Sequence, residues 1–519
     1  MAQIPFRCNL SAATFPLVSS FMGRTVVVPQ YDQNYIKRAK LSGEDSDMDI
    51  GIPQVYYGHN IVPSGQGFKS VGYTSVFPAV DGISTFDKII PIRDADMTSG
   101  WLAVCSDGKV YIAKAGDVAW TDVTASVPGW PGGQVTYGVG SGVTYVCFSR
   151  YDVYKVNVDT RTIAPVALTG LTTSDIVAIW DAANYLCVTD GIDVYWSSTI
   201  DPEDFVPSIA TGAGSGTPND VQGLILAGIP VSNGYALYTL RNIVLASYSG
   251  NARFPWIFKP ASGSRGVSDI RKVSFDGDSG INYAWTSGGL LKVTAQGCSQ
   301  VSPETSDFLA GKVFEDFNTT TNTFQQQYLT SMLRVRLAYI GARYLVASYG
   351  ISSYTHALVY DSAFKRWGKL KVTHTDCFEV SLNTDTGTIT SDAASPKKTL
   401  GFLTNTGAVS VANFDFGDIT ADAVLILGKY QFSRTRLTTL NEIDVEVVDE
   451  ANSNFSVVVL TTLDGKTIVT PTVTPTTAIE STFNRKYVSR VTGMNHSIVF
   501  KGAFNLLSVM LQIVNNGRR

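Results

Sequence analysis

Histidine is scarce in this chain: His59, His356, His374 and His496 are the only four in 519 residues. They lie far apart, and none has ligand spacing such as H-E-x-x-H, which excludes the helical zinc site of that motif. No G-x-S-x-G nucleophile elbow occurs. The six cysteines include no C-x-x-C pair. Lys and Arg total 40 against 44 Asp and Glu, a net charge of −4, and the basic residues form no cluster. The electrostatic footprint of a DNA-gripping protein is therefore missing. No run approaches the roughly 20 apolar residues that span a bilayer, so no membrane span is expected. Met1 to Leu10 has no basic start with an apolar core behind it, and a soluble protein made in a cytosol is expected.

What the chain has is apolar content (44%) with little charge (16%) and 46 glycines, the balance of a packed protein of short strands and turns. One strand pair recurs at blade-sized intervals. Trp101–Cys105, a Ser106-Asp107-Gly108 turn and Lys109–Ile112 form the first copy. Thr144–Phe148 with Asp152–Lys155, and Tyr185–Val188 with Asp193–Trp196, repeat it, with Cys105, Cys147 and Cys187 at matching places. Further pairs follow: Tyr235–Tyr238 with Ile243–Ala246, Ile281–Trp285 with Leu290–Val293, Tyr344–Ala347 with Ala357–Tyr360, and Leu400–Leu403 with Ala408–Val411. A period of roughly 40 to 50 residues with repeated short strands predicts a β-propeller. One such sheet cannot bury both its faces alone, so six or seven blades stack and close into a ring. The cysteines are expected as buried free thiols.

The fold class expected is all-β: an irregular six- or seven-bladed β-propeller plus a β-sandwich-like platform built from the N- and C-terminal segments. Residues 1–95 depart from the repeat and are expected to pack with the platform, 96–418 to form the propeller, and 419–519 the C-terminal sandwich. In the last segment Leu440–Val448, Asn454–Leu460, Ser497–Phe500 and Leu506–Val514 alternate as strands around an extended Pro/Thr stretch at 467–477. Within the propeller, Asp307–Phe317 is the best helical candidate, with Phe308, Val313, Phe314 and Phe317 at helix-compatible spacing.

Few groupings suggest chemistry. Gly138-Val-Gly140-Ser-Gly142 and Gly212-Ala-Gly214-Ser-Gly216 lack the third glycine of a dinucleotide fingerprint and read as flexible turns. Asp45-Ser-Asp47-Met-Asp49-Ile-Gly51 resembles the start of a calcium loop, but its glycine comes late and no twelfth-position Glu follows; an acidic turn is the better reading. Asp201 with Glu203 and Asp204 offers the paired carboxylates a glycosidase needs, in a Pro-containing turn whose default role is capping. Trp101, Trp180, Trp196, Trp285 and Trp367 are expected between blades, and Arg334, Arg336 and Arg343 as strand-surface charges. No catalytic, cofactor-binding or metal-binding residue is expected, and no cofactor.

The run Val194-Tyr195-Trp196-Ser197-Ser198-Thr199-Ile200-Asp201-Pro202-Glu203-Asp204-Phe205 resembles tail nozzle proteins of short-tailed bacteriophages, in which a strand ending in an aromatic residue and serine leads into a D-P-x-D-F turn. Asn219–Leu224, Val231–Tyr235, Ala246–Asn251, Phe254–Phe258 and Ser264–Val267 continue the likeness, as does a C-terminal β domain closing on Gly517-Arg518-Arg519. The resemblance implies a structural virion protein in the tail, assembled in the host cytoplasm. Six copies would form a ring below the portal and its head-to-tail adaptor protein, with tail fibre or tailspike proteins as further partners. Genomic DNA would pass through the lumen without sequence-specific binding, past gating loops, and a weakly acidic wall suits sliding because each phosphate contact adds affinity.

The alternative is a β-propeller glycan-binding protein or glycoside hydrolase, with acidic and aromatic residues on the axial funnel. A cytosolic scaffold for protein partners is a third reading, but the Gly-His and Trp-Asp signatures of such repeats are missing. Fold alone does not separate the three.

Overall fold

The computed structural model of the protein describes residues 3–9, 26–27 and 55–515, the last stretch with short breaks, of which 303–313, 328–333, 383–396, 414–421 and 476–483 are the longest. Among the described residues the regular elements are strands and single turns of 3-10 helix, and no helix is long and apolar enough to cross a membrane.

All seven hairpins form, and each is the central pair of a four-stranded antiparallel blade. The protein is a seven-bladed β-propeller. Its axis is lined by the first strand of each blade: Phe86–Arg93, Val135–Gly140, Ala178–Ala182, Ile225–Val231, Val273–Asp276, Arg334–Ile340 and Asp376–Leu382. The second strands are covered on both faces by neighbouring blades, so they read as continuous apolar runs rather than alternating ones. Every residue from Leu102 to Cys105 and from Tyr145 to Phe148 is buried. Blades 3 and 4 approach so closely that a Cβ on Gly228 would come within 2.2 Å of the Trp180 indole. On the other side of Trp180, a Cβ on Gly138 of blade 2 would meet its backbone at 2.7 Å.

Two strands inside the segment assigned to the platform belong to the propeller instead. Phe86–Arg93 is the axial strand of blade 1. Gly72–Phe77 pairs with Val409–Asn413 as the outer strand of blade 7. This closes the ring, and Phe77 stacks on Trp120 of blade 1 at 5.1 Å across the seam. The hairpin signal marks only the middle two strands of a blade, and a closing strand drawn from the far end of the chain has no local signature.

The Asp307–Phe317 helix is also corrected where described: Phe314–Asn318 is a strand paired with Thr323–Gln327. Phe317 pairs with Phe324 across the ladder, and aromatic side chains favour a strand. Residues 307–313 lie outside the described residues.

The platform is a sandwich. One sheet holds Val424–Gln431, Asn495–Ala503 and Asn454–Thr462, joined by Val26–Val27, Val55–His59 and Ile468–Val469. The other holds Asn505–Asn515, Thr438–Val447 and Asn484–Gly493, with Gln3–Asn9 and Thr474–Pro475. This second sheet runs on through Gly67–Ser70 and Ile61–Ser64 into blade 6, where Ile61 pairs with Lys369. The apolar core is equally continuous: Val457, Ile498, Phe500, Ile443 and Val509 of the platform share one cluster with Trp285, Leu337, Leu358 and Trp367 of blades 5 and 6.

Candidate functional site at the propeller axis

The axis of a propeller is where its blades bring distant side chains together. The first strands all enter the ring from one mouth, and that mouth carries charge. Arg271 sits in the single 3-10 turn Ile270–Lys272 ahead of blade 5, whose Asp269 cap accepts from the Arg271 backbone N–H. The Arg271 guanidinium donates to Asp269 at 3.2 Å and to both carboxylate oxygens of Asp87 in blade 1 at 3.1 and 3.2 Å. Blades 5 and 1 are not neighbours, so this pair reaches across the ring. Gln134 does the same from blade 2 to blade 4, donating to the Leu226 carbonyl at 3.0 Å.

Beside them, Asp376 of blade 7 is buried at 1% side-chain exposure. It accepts from Arg336 Nε of blade 6 at 2.6 Å and from the Ile89 N–H of blade 1 at 2.9 Å. Lys88 donates to the Val135 carbonyl. Burial pulls the Lys88 ammonium down to about 8, with Arg336 and Arg271 pushing the same way and Asp376 and Asp269 opposing. At Asp269 burial favours the neutral form, but the Arg271 charge and hydrogen bonds outweigh it and hold the carboxyl below its usual range.

Arg271 thus pairs with Asp87 and Asp269, and Arg336 with Asp376, while Lys88 spends its ammonium on a backbone carbonyl. The arrangement braces and obstructs the axis. A glycosidase acid has to hold its proton at working pH, whereas the Arg271 charge holds the Asp269 carboxyl below its usual range. Further along the axis Asp181 is the carboxyl that burial raises, while it accepts from the Val139 N–H. Tyr137, on the axial strand of blade 2, is 41% exposed. Among the described residues no group of three or more His, Cys, Asp or Glu is placed to hold a metal ion.

The candidates named from sequence fall elsewhere. Asp201, Glu203 and Asp204 lie between the third and fourth strands of blade 3. Asp201 accepts from the Glu203 N–H and Asp204 from the Val206 N–H, both as turn caps. Glu203 takes the Tyr145 hydroxyl at 2.8 Å and Lys155 at 3.1 Å, both on blade 2. Pro202 lies over Gly140, where a Cβ would meet it at 2.6 Å, and Phe205 is buried with Tyr145 and Leu168. The D-P-x-D-F turn is therefore a clamp between blades 2 and 3.

Gly142 sits in a turn at φ 82°, as read, whereas Gly138, Gly140, Gly214 and Gly216 lie in strands, which corrects the turn reading for those four. They permit close approach by neighbours. All five named tryptophans are buried, as expected. Arg336 and Arg343 are not plain surface charges: Arg336 pairs with Asp376 and Arg343 with the fully buried Asp361. Arg334 is exposed. All four histidines are buried, His356 and His374 on paired strands of blade 6. Cys105, Cys147, Cys187 and Cys377 are buried free thiols and Cys298 is half-buried. The acidic turn at 45–51 lies outside the described residues.

Sequence reading missed Asp87, Lys88, Asp269, Arg271 and Asp376. Their one local signal is a charge at the start of an apolar strand, as in Phe86-Asp87-Lys88-Ile89-Ile90.

No protein-family model and no curated protein matches the chain. Solved structures do. One described as YCF48 bound to D1 peptide shares 10% identity at a TM-score of 0.37, covering 66% of this chain and 95% of that one. One of U3-55K shares 8% at 0.41, covering 66% and 98%. YCF48 from Cyanidioschyzon merolae shares 13% at 0.39, covering 65% and 98%. At these TM-scores the likenesses carry no argument about this chain.

Proposed function

We propose that the chain is a structural virion protein, the hexameric tail nozzle of a short-tailed bacteriophage, forming the conduit for genome ejection below the portal and adaptor. The observation that carries this reading is the interleaving of N- and C-terminal strands into one platform, as expected of a nozzle whose two end segments build the face towards the adaptor. The axis supports it from another side. Arg271 and Asp87 meet across a single propeller, leaving no room for a duplex whose major groove alone is about 12 Å wide. A conduit for DNA then has to be enclosed by several copies. In this reading the platform faces the adaptor, the propellers point away from the head, fibres or tailspikes attach at the periphery, and loops gate the lumen.

No observation favours the glycan reading: the tryptophans pack between blades, and the sequence-named carboxylates cap a turn. The test is the solution mass of the purified chain by light scattering, with electron microscopy of the same sample. Six-membered rings around an open channel are expected. A monomer at every concentration, alone and with portal and adaptor added, would overturn the proposal.

A further inference from the structure

Residues 55–77 visit four places in succession. Val55–His59 pairs with the platform strand Val424–Gln431. Ile61–Ser64 pairs with the outer strand of blade 6 and with Gly67–Ser70, which itself pairs with Asn505 and Leu506 of the platform. Gly72–Phe77 closes blade 7. The first and last links are single residues, Asn60 and Val71. One residue spans at most about 3.6 Å, so neither link holds slack.

Asn60 ties the pieces directly. It is buried and sits in the left-handed region at φ 51°, which Asn tolerates better than most residues. Its amide nitrogen donates to the Asp422 carbonyl of the platform at 2.8 Å. Its side-chain oxygen accepts from the Lys371 N–H of blade 6 and from the Tyr73 hydroxyl of the blade 7 closing strand, each at 2.9 Å. Its backbone carbonyl takes the Val71 N–H at 2.8 Å. At the second link the Ser70 N–H donates to the Phe504 carbonyl at 2.8 Å, and the Phe504 N–H donates back to Ser70 Oγ at 2.9 Å.

We propose that residues 55–77 are a strap coupling the platform to closure of the propeller, so that displacing the platform from blade 6 peels Gly72–Phe77 from blade 7. Blade 7 is the blade whose fourth strand comes from the other end of the propeller's chain, so no covalent turn holds that strand in place. Peeling it uncovers Val409–Asn413 as a free strand edge, able to pair with another chain. The proposal rests on the fold and not on the nozzle reading.

The test is backbone hydrogen exchange on the whole protein carrying Asn60→Gly. Glycine keeps the left-handed backbone and deletes the three side-chain hydrogen bonds. Exchange at 72–77 and 409–413 is expected to speed at least about tenfold, the factor that corresponds to about 1.4 kcal/mol, with blades 2 to 4 unchanged. Faster exchange confined to 55–64 and the platform overturns the proposal, because the link would then not transmit. A uniform rise over all blades overturns it too, as plain destabilisation. If Asn60→Gly does not fold, Tyr73→Phe, which removes one bond of the hub, is judged by the same pattern.

Discussion

Asp376→Ala is the most informative substitution at the axis. The Asp376 carboxylate is buried, pairs with Arg336 at 2.6 Å and receives the Ile89 N–H at 2.9 Å. It thereby joins blades 6, 7 and 1 at one point. Removing it strands a guanidinium at 15% side-chain exposure and leaves a buried N–H without its acceptor. Breaking a buried pair from one side costs about 3–5 kcal/mol, and the orphaned donor falls within the upper part of that range. For a cooperative unit with an m-value near 3 kcal/mol/M, a loss of about 4 kcal/mol lowers the urea midpoint by about 1.3 M. The assay is urea unfolding followed by tryptophan fluorescence, with Arg336→Met and the double variant completing a cycle. Removing both partners leaves no unpaired charge, so the double variant is expected to lose at least about 2 kcal/mol less than the sum of the singles. A midpoint within 0.3 M of wild type (below about 1 kcal/mol at that m-value), or additive single effects, would refute the bracing role.

Gly228→Ala drives a methyl into the Trp180 indole at 2.2 Å and is expected to cost at least about 1–3 kcal/mol, read as a lower urea midpoint with altered tryptophan emission; an unchanged midpoint would mean blades 3 and 4 are packed less closely. His374 and His496 are held neutral by burial, each down at about 4. The unfolded chain binds these protons from about pH 6.5 downward. Stability is therefore full above pH 6.5, falls as pH drops towards 4 and then levels off, by on the order of 3 kcal/mol per histidine. Urea midpoints at pH 7.5 and 4.5 should differ less in a His374→Gln/His496→Gln variant; equal differences would show that other groups set the slope. Burial pushes the Cys147 and Cys377 thiols up to about 12, so neither is expected to react with iodoacetamide until the protein unfolds, and rapid native labelling of either, located by mass spectrometry, would contradict the packing.

The sequence by itself determined what is local. Each blade's central hairpin is two apolar runs joined by turn residues, so all seven were legible, as were the burial of the tryptophans and four of the six main platform strands, Val424–Gln431 and Asn484–Gly493 being missed. Such contacts need only neighbouring residues, whose alternation and turn chemistry are written in order. Tertiary structure alone decided the rest. Ring closure pairs Tyr73 with Ala412, and the platform meets blade 6 through Ile61 and Lys369. Loop entropy grows only slowly with separation, so such pairings are affordable to the fold yet leave no spacing to read. The axial network is hidden for the same reason. Asp87 and Arg271 stand 184 residues apart and look like ordinary strand-end charges until seven blades close around them. Phe314–Asn318 shows the converse limit: helix-compatible aromatic spacing yields to a strand once a hairpin partner is available, because pairing across a turn outweighs a weak local preference.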